Sequence, residues 1–261
     1  MKVLSINIEY GGYYLYEKTK SFSFIDKYVE LIKIHDIDVV CFQEAIFLGK
    51  KEFDITKIIA DKLGYYHKSN KYSYLSIISK FPLKKISNNK YNFITCLCND
   101  LLITNLHLND EPNTYYSLIN RPYNNTPMNI NEKQAIDLSY ESKEKDIKNM
   151  LSLIKNKNGI ICGDFNELSH LDSIEWKTSK KIYKKGFKDV VRYFYPDSKK
   201  YPLYTCDIQR KETKGNPPMR IDMIYFKGLK PKCVKYLYKL KLKWYYLSDH
   251  IPILTTFDLK Q

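Results

Sequence analysis

Gly163-Asp164-Phe165-Asn166-Glu167, entered from the apolar run Gly159-Ile160-Ile161-Cys162, decides how the rest of the chain is read. The run predicts a buried strand that ends in a loop, with Gly163 letting the backbone turn. Asp164 and Asn166, two apart in extended geometry, point to one side and can converge on one ligand. A carboxylate there can orient or deprotonate a water, and a neutral amide can hydrogen-bond an anionic group without adding negative charge. This is the outline of phosphate-ester chemistry. The same five residues would also serve as a polar turn, so the choice falls to residues elsewhere in the chain.

Outward from this stretch, strands and helices follow in order. Lys2 to Ile8 alternates as a first strand and delivers Asn7 to its end, where Gly11-Gly12 stops it. Apolar residues from Phe24 to Ile34 keep helical spacing and lead into a buried strand, Ile37 to Phe42, that ends in Gln43-Glu44. Ile55, Ile58, Ile59 and Leu63 predict a short helix closed by Gly64. Tyr74 to Ser79, Phe93 to Cys98 and Leu101 to Asn105 read as strands, with Asn99-Asp100 a tight hairpin turn before the last, which runs on to His107. Asn109 to Gln134 is aperiodic and rich in Asn, Pro and Tyr, and an amphipathic helix is expected from Lys143 to Lys155. Beyond the pentapeptide, Asp207 to Pro218 reads as a polar loop and Arg220 to Tyr225 as a strand. Val234 to Trp244 alternates with Lys235, Lys239, Lys241 and Lys243 on one face, and Asp249-His250 precedes a last strand, Ile253 to Phe257. The lysine face would be solvated whether or not it tracks a phosphate backbone.

The 261 residues contain no Pro/Gly/Ser-rich linker and no internal repeat, so residues 1–261 are expected to form a single domain, and a monomer. A formal net charge of +14 favours polyanionic partners, nucleic acid or an anionic membrane surface, although Lys, Asn, Ile and Tyr are abundant throughout, as a biased genome would make them. The amino terminus reaches Asn7 and Glu9 too soon for a signal peptide, and no stretch is long and apolar enough to span a bilayer. An intracellular, cytoplasmic protein is therefore expected. Six cysteines without a Cys-x-x-Cys pair, most of them in apolar runs, fit reduced buried thiols.

Polar groups thus gather at strand ends: Asn7, Gln43-Glu44, His107, Asp164 with Asn166, Asp222, and Asp249-His250. A lone histidine such as His107 is most often packed or solvated, but the joint occurrence is harder to dismiss. Glu44, Asp249 and the Asn7 carbonyl are hard oxygen donors that suit Mg²⁺ or Mn²⁺ and not zinc.

With Ser5-Ile6-Asn7, Gln43-Glu44, Asn105-Leu106-His107-Leu108, Gly163-Asp164-Phe165-Asn166, Arg220-Ile221-Asp222 and Ser248-Asp249-His250 in this order, the chain resembles the endonuclease/exonuclease/phosphatase superfamily. That group includes DNase I-like nucleases, apurinic endonucleases, sphingomyelinases, inositol-phosphate phosphatases and tyrosyl-DNA phosphodiesterases. The resemblance implies an α/β fold, a two-sheet β-sandwich flanked by helices in four DNase I-like layers, with the active site at one edge. It implies Glu44 as principal metal ligand, helped by Asn7 and Asp249, with Asp164 activating the attacking water. Asn166 and His107 would hold the phosphate oxygens, and His250 would stabilise the charged transition state with Asp222 orienting its ring. In the DNase I-like branch a glutamate pairs with the histidine that matches His107, and Tyr72 to Phe81 offers no such acid. The expected activity is that of a divalent-metal-dependent phosphodiesterase or nuclease acting on nucleic acid. A phospholipid or inositol-phosphate phosphoesterase, and a catalytically silent nucleic-acid-binding module of the same fold, stand as alternatives.

Overall fold

The computed structural model of the chain describes residues 1–261 apart from 50, 51, 88, 122, 125, 156, 207–215, 239, 243, 244 and 259–261. Twelve strands build two six-stranded sheets. In chain order they are β1 (Lys2–Asn7), β2 (Val39–Gln43), β3 (Tyr66–Asn70), β4 (Leu75–Ser79), β5 (Lys84–Lys85), β6 (Phe93–Cys98), β7 (Leu101–His107), β8 (Gly159–Asp164), β9 (Lys188–Asp189), β10 (Asp222–Lys227), β11 (Lys230–Tyr236) and β12 (Ile253–Asp258). The first sheet runs β11-β12-β1-β2-β4-β3 and the second β9-β10-β8-β7-β6-β5. The helices are α1 (Glu9–Thr19), α2 (Phe24–Ile34), α3 (Ile55–Leu63), α4 (Thr114–Leu118), α5 (Glu132–Leu153), α6 (Lys177–Lys184) and α7 (Val190–Phe194).

Alternation along each strand divides its side chains between two cores. From β1, Val3 enters the space between the sheets, where Val39, Cys41 and Ile77 meet Ile94, Ile103, Ile160 and Ile224. Leu4 and Ile6 face the other way and pack under Leu15, Phe24, Tyr28, Ile32, Ile55 and Ile59 of α1, α2 and α3. On the far side Leu102, Leu106, Ile161 and Met223 pack under Tyr140, Ile147, Met150 and Ile182 of α5 and α6. The result is the four-layer α/β sandwich that the resemblance implied.

The helix α2 spans the predicted residues, and Gly64 closes α3 in the left-handed conformation at φ 70. Asn99 and Asp100, at φ 46 and 62, form the two-residue hairpin turn, a conformation these side chains tolerate. Three expectations need correction. The helix expected from Lys143 begins eleven residues earlier, at Glu132, where Asn131 and Gln134 form a reciprocal capping box. Its first turns are mostly polar, but Ala135, Ile136, Ser139 and Tyr140 are buried there. Gly163 is not the turning residue. It lies inside β8 between Leu106 and Met223 at φ 139, where a Cβ would stand 1.9 Å from the Leu106 carbonyl oxygen, so backbone conformation and close strand approach together demand glycine.

The third correction concerns Val234 to Trp244, which is not one strand. Pairing of β11 with β12 ends at Tyr236 and Ile253, and the next bond, from Leu237 N, goes to the carbonyl of Pro252. Proline has no N–H to return, so the ladder stops. Lys241–Leu242 pairs instead with Tyr245–Tyr246 in a separate ribbon. Lys235 and Lys241 are exposed, while Lys239, Lys243 and most of the Asp207 to Pro218 loop lie outside the described residues. None of the six cysteines is in a disulfide, and five are buried. Among the described residues no helix is long and apolar enough to cross a membrane.

Candidate active site

One edge of the sandwich gathers the ends of β1, β2, β7, β8 and β10 and the turn before β12. There an open cleft of about 590 Å³ is lined by Glu44, His107, Asp164, Asn166, Asp249 and His250. Asn7 and Asp222 are almost fully buried and touch these residues directly.

Asn7 joins the two sides of the cleft. Its Nδ2 donates to Glu44 Oε1 at 2.9 Å and to Asp164 Oδ2 at 3.2 Å, while its Oδ1 accepts the backbone N–H of Glu9 at 2.9 Å. That last bond orients the amide, so its nitrogen faces the two carboxylates and its oxygen faces away. Glu44 leaves β2 in a left-handed turn, φ 54, and its Oε2 accepts the N–H of Tyr10 at 2.7 Å. Gln43, expected beside it, turns inward instead. Its Nε2 donates to Asn105 Oδ1 at 2.5 Å, and Asn105 donates across to the carbonyls of Phe42 and Ser76. This buried amide pair fastens β7 of one sheet to β2 and β4 of the other.

Asp164 and Asn166 do converge, but through a turn and not along an extended strand. Asn166 sits at φ 46 with its N–H on Asp164 Oδ1 at 2.9 Å, and its Nδ2 donates to Leu108 O at 3.0 Å. Asp222 Oδ2 lies 2.7 Å from His250 Nδ1, and His250 Nε2 lies 3.7 Å from Asp164 Oδ2. The ring is further held by its backbone N–H on Ser248 Oγ, which itself donates to Asn7 O at 2.7 Å. His107 Nε2 stands 3.9 Å from Glu44 Oε1 and 3.8 Å from Asp164 Oδ2, so the acids it approaches are Glu44 of the other sheet and Asp164 of the adjacent strand, and not residues of Tyr72 to Phe81.

Electrostatics sort these groups. Burial and then the neighbouring Asp222 push the Asp164 carboxyl above the usual carboxylate range, against the pull of His250 and His107. Burial disfavours charge on His250, yet Asp222 in contact with it and Asp249 nearby outweigh that and hold its pKa well above the usual imidazole range. These contacts favour the protonated ring, whose Nε2–H would then face Asp164.

The donor set fits a hard divalent cation. Glu44, Asp249 and Glu9 bring carboxylates to one cleft whose other wall already carries Asp164, an excess of negative charge that a cation would offset. Asp164, Asp222 and His250 also hold ligand atoms within 4.8 Å of one another. There, however, Asp222 and His250 already hold each other through Oδ2 and Nδ1, and the contact with Asp222 favours a positively charged ring that would repel a cation, so the Glu44 side suits the cation better.

Sequence reading missed Glu9, which is nearly buried at φ 49 two residues beyond Asn7 and lines the cleft. Its place after a strand-end asparagine was the signal available. It also missed what anchors the Asp222 strand. The guanidinium of Arg220, 2% exposed, bonds Asp172 Oδ2 and Asp189 Oδ2, each at 2.7 Å.

The Endonuclease/Exonuclease/phosphatase family model matches residues 4–250. Among solved structures, the chain is similar to an AP endonuclease from Archaeoglobus fulgidus at 16% identity and TM-score 0.65, covering 99% of this chain and 100% of that one. The 3' phosphatase NExo from Neisseria bound to a product DNA hairpin gives 15% identity, 99% and 100% coverage and TM-score 0.65. D. rerio TDP2 complexed with single strand DNA product gives 14%, 99% and 99% coverage and 0.65. At these identities the likeness speaks for the fold. No curated protein sequence matches this chain significantly.

Proposed function

The chain belongs to the endonuclease/exonuclease/phosphatase family, and from that premise we propose that residues 1–261 act as one domain, a divalent-metal-dependent phosphodiesterase of nucleic acid. The observation that carries this reading is the buried chain of contacts from Asp222 through His250 to Asp164 and, by Asn7, to Glu44. Net charge of +14 and structural likeness to proteins bound to DNA products favour nucleic acid over a lipid.

Glu44 and Asp249, with Asn7 beside them, would hold Mg²⁺ or Mn²⁺. Bound there, the cation would act as a Lewis acid and offset charge on the phosphate and the leaving oxygen. Asp164 takes hydrogen bonds on both oxygens, from Asn166 N–H and Asn7 Nδ2, which fix its plane. Its raised pKa makes it a better base toward an attacking water than an exposed aspartate. Asn166 donates one amide hydrogen to Leu108 O and has a second to offer a phosphate oxygen, which His107 on the adjacent strand would also meet. His250, kept charged and oriented by Asp222, stabilises the negative charge that develops on those oxygens.

The test is hydrolysis of single-stranded and duplex DNA, abasic duplex, RNA, sphingomyelin vesicles and inositol phosphates by the purified protein, with Mg²⁺ or Mn²⁺ and with EDTA. Metal-dependent cleavage of a nucleic acid is expected. Cleavage confined to a lipid or inositol phosphate, or cleavage undiminished by EDTA, would refute the proposal.

A further inference from the structure

Four of the large exposed aromatic side chains of this protein line the same cleft: Tyr10, Tyr14, Tyr72 and Tyr74, exposed by 43%, 45%, 68% and 38%. Two of them are bound to the catalytic edge by backbone hydrogen bonds. The Tyr10 N–H donates to Glu44 Oε2 at 2.7 Å, and the Tyr74 carbonyl accepts the N–H of Ala45 at 2.7 Å. The backbones that carry their rings are therefore held beside Glu44. Both residues also occupy the left-handed region, at φ 50 and 53, where a bulky side chain costs energy that glycine or asparagine would not. Strain of this kind points to a contact the side chain makes, since nothing in the turns themselves asks for a ring. Tyr14 extends the surface outward from Tyr10, ring edge to face at 5.8 Å.

We propose that Tyr10 and Tyr74, extended by Tyr14 and Tyr72, are the specificity-determining residues of the cleft, and that they select unpaired nucleic acid by stacking on the bases beside the scissile phosphate. This rests on the nucleic-acid phosphodiesterase reading and narrows its substrate. Base faces are free to stack on a side chain in a single strand, an overhang or a frayed end, whereas in an intact duplex they are covered by neighbouring pairs. Every base has such a face, so the choice is for strandedness and not for sequence. The same rings could instead embrace a quaternary ammonium headgroup, which the experiment separates.

Tyr10→Asn and Tyr74→Asn remove the ring and leave a residue better suited to positive φ, so thermal stability should hold or rise. Cleavage of a single-stranded oligonucleotide and of a blunt hairpin duplex of the same sequence would be compared in wild type and variants. Binding of both, by fluorescence anisotropy in an Asp164→Asn background, gives a readout independent of turnover. Wild type should prefer the single strand, and each variant should raise KM and Kd for it roughly tenfold while leaving the duplex values unchanged. Equal use of duplex and single strand by wild type, or single-strand KM and Kd unmoved in both variants, would overturn the inference while leaving the phosphodiesterase reading intact. Ring-dependent hydrolysis of sphingomyelin vesicles, with no oligonucleotide bound or cut, would overturn both.

Discussion

The sharpest perturbation is Asn7→Asp, which keeps the shape of the side chain and exchanges an N–H₂ for an anionic oxygen. The exchanged atom stands 2.9 Å from Glu44 Oε1 and 3.2 Å from Asp164 Oδ2. Two hydrogen bonds to charged groups, each worth about 1.5–3 kcal/mol, are lost. In their place stand two like-charge contacts, each costing about 5 kcal/mol at an effective dielectric near 20. That total rivals the whole stability of a domain, so at neutral pH one of the three carboxyls takes up a proton instead of the fold collapsing. The expected variant is folded but has a site whose acid limb has moved to higher pH. Asn7→Ala removes the donors without adding charge. With about 1.4 kcal/mol per factor of ten, losing one bond's worth of orientation predicts a fall of roughly 10- to 100-fold in kcat/KM for Asn7→Ala. Asn7→Asp should fall at least about tenfold further. The assay is kcat/KM against pH for a cleaved oligonucleotide, with circular dichroism to confirm folding. If both variants stay within threefold of wild type, or the aspartate is no worse than the alanine, Asn7 does not hold the two carboxylates in working order.

Glu44→Gln should leave the fold intact while raising the Mg²⁺ concentration needed for half-maximal turnover, read by a metal titration; an unshifted titration would remove Glu44 from the metal site. Activity should require Asp164 ionised and His250 protonated. The acid limb of the pH profile should then lie above the usual aspartate range and the alkaline limb well above the usual imidazole value, and an alkaline limb near about 6.5 would contradict the role given to Asp222. In stability the sign for His250 is the same: its contribution is complete below the unfolded imidazole pKa and is lost as pH rises through the raised folded one. Arg220→Met leaves Asp189, whose side chain is 0% exposed, without its cation, which should cost about 3–5 kcal/mol and lower Tm by roughly 10 °C in a thermal melt. An unchanged melt would mean the pair contributes nothing net.

Where period and terminator agreed, as in α2 with its apolar stripe and α3 with Gly64, the sequence was sufficient to place the element. It failed where tertiary partners decide. The first turns of α5 read as polar because Glu132, Lys133 and Gln134 are exposed there and the buried Ser139, hydrogen-bonded to Glu167, carries no hydrophobic signal. Alternation from Val234 onward predicts a long strand because alternation reports one chain, whereas a ladder needs two, and Pro252 withdraws the partner. Residue chemistry at strand ends made the candidate site legible, Asp164 and His250 most of all. The orientation of an amide was not legible: Asn7 was read as an oxygen donor, and only the Glu9 N–H reveals which way its nitrogen faces.

The position of β1 between β12 and β2 has a consequence for the order of synthesis. Lys2 to Ser5 pair with Thr256 back to Ile253, and Ser248 reaches Asn7 O, so β1 acquires one of its two neighbours only when the strand some 250 residues later has emerged. Asn7, Glu44 and Asp164 all leave the ribosome well before His250 can stand beside them. Under the proposed activity, a growing chain that stops short of His250 lacks the ring that faces Asp164, so the site is assembled only once β12 has docked against β1.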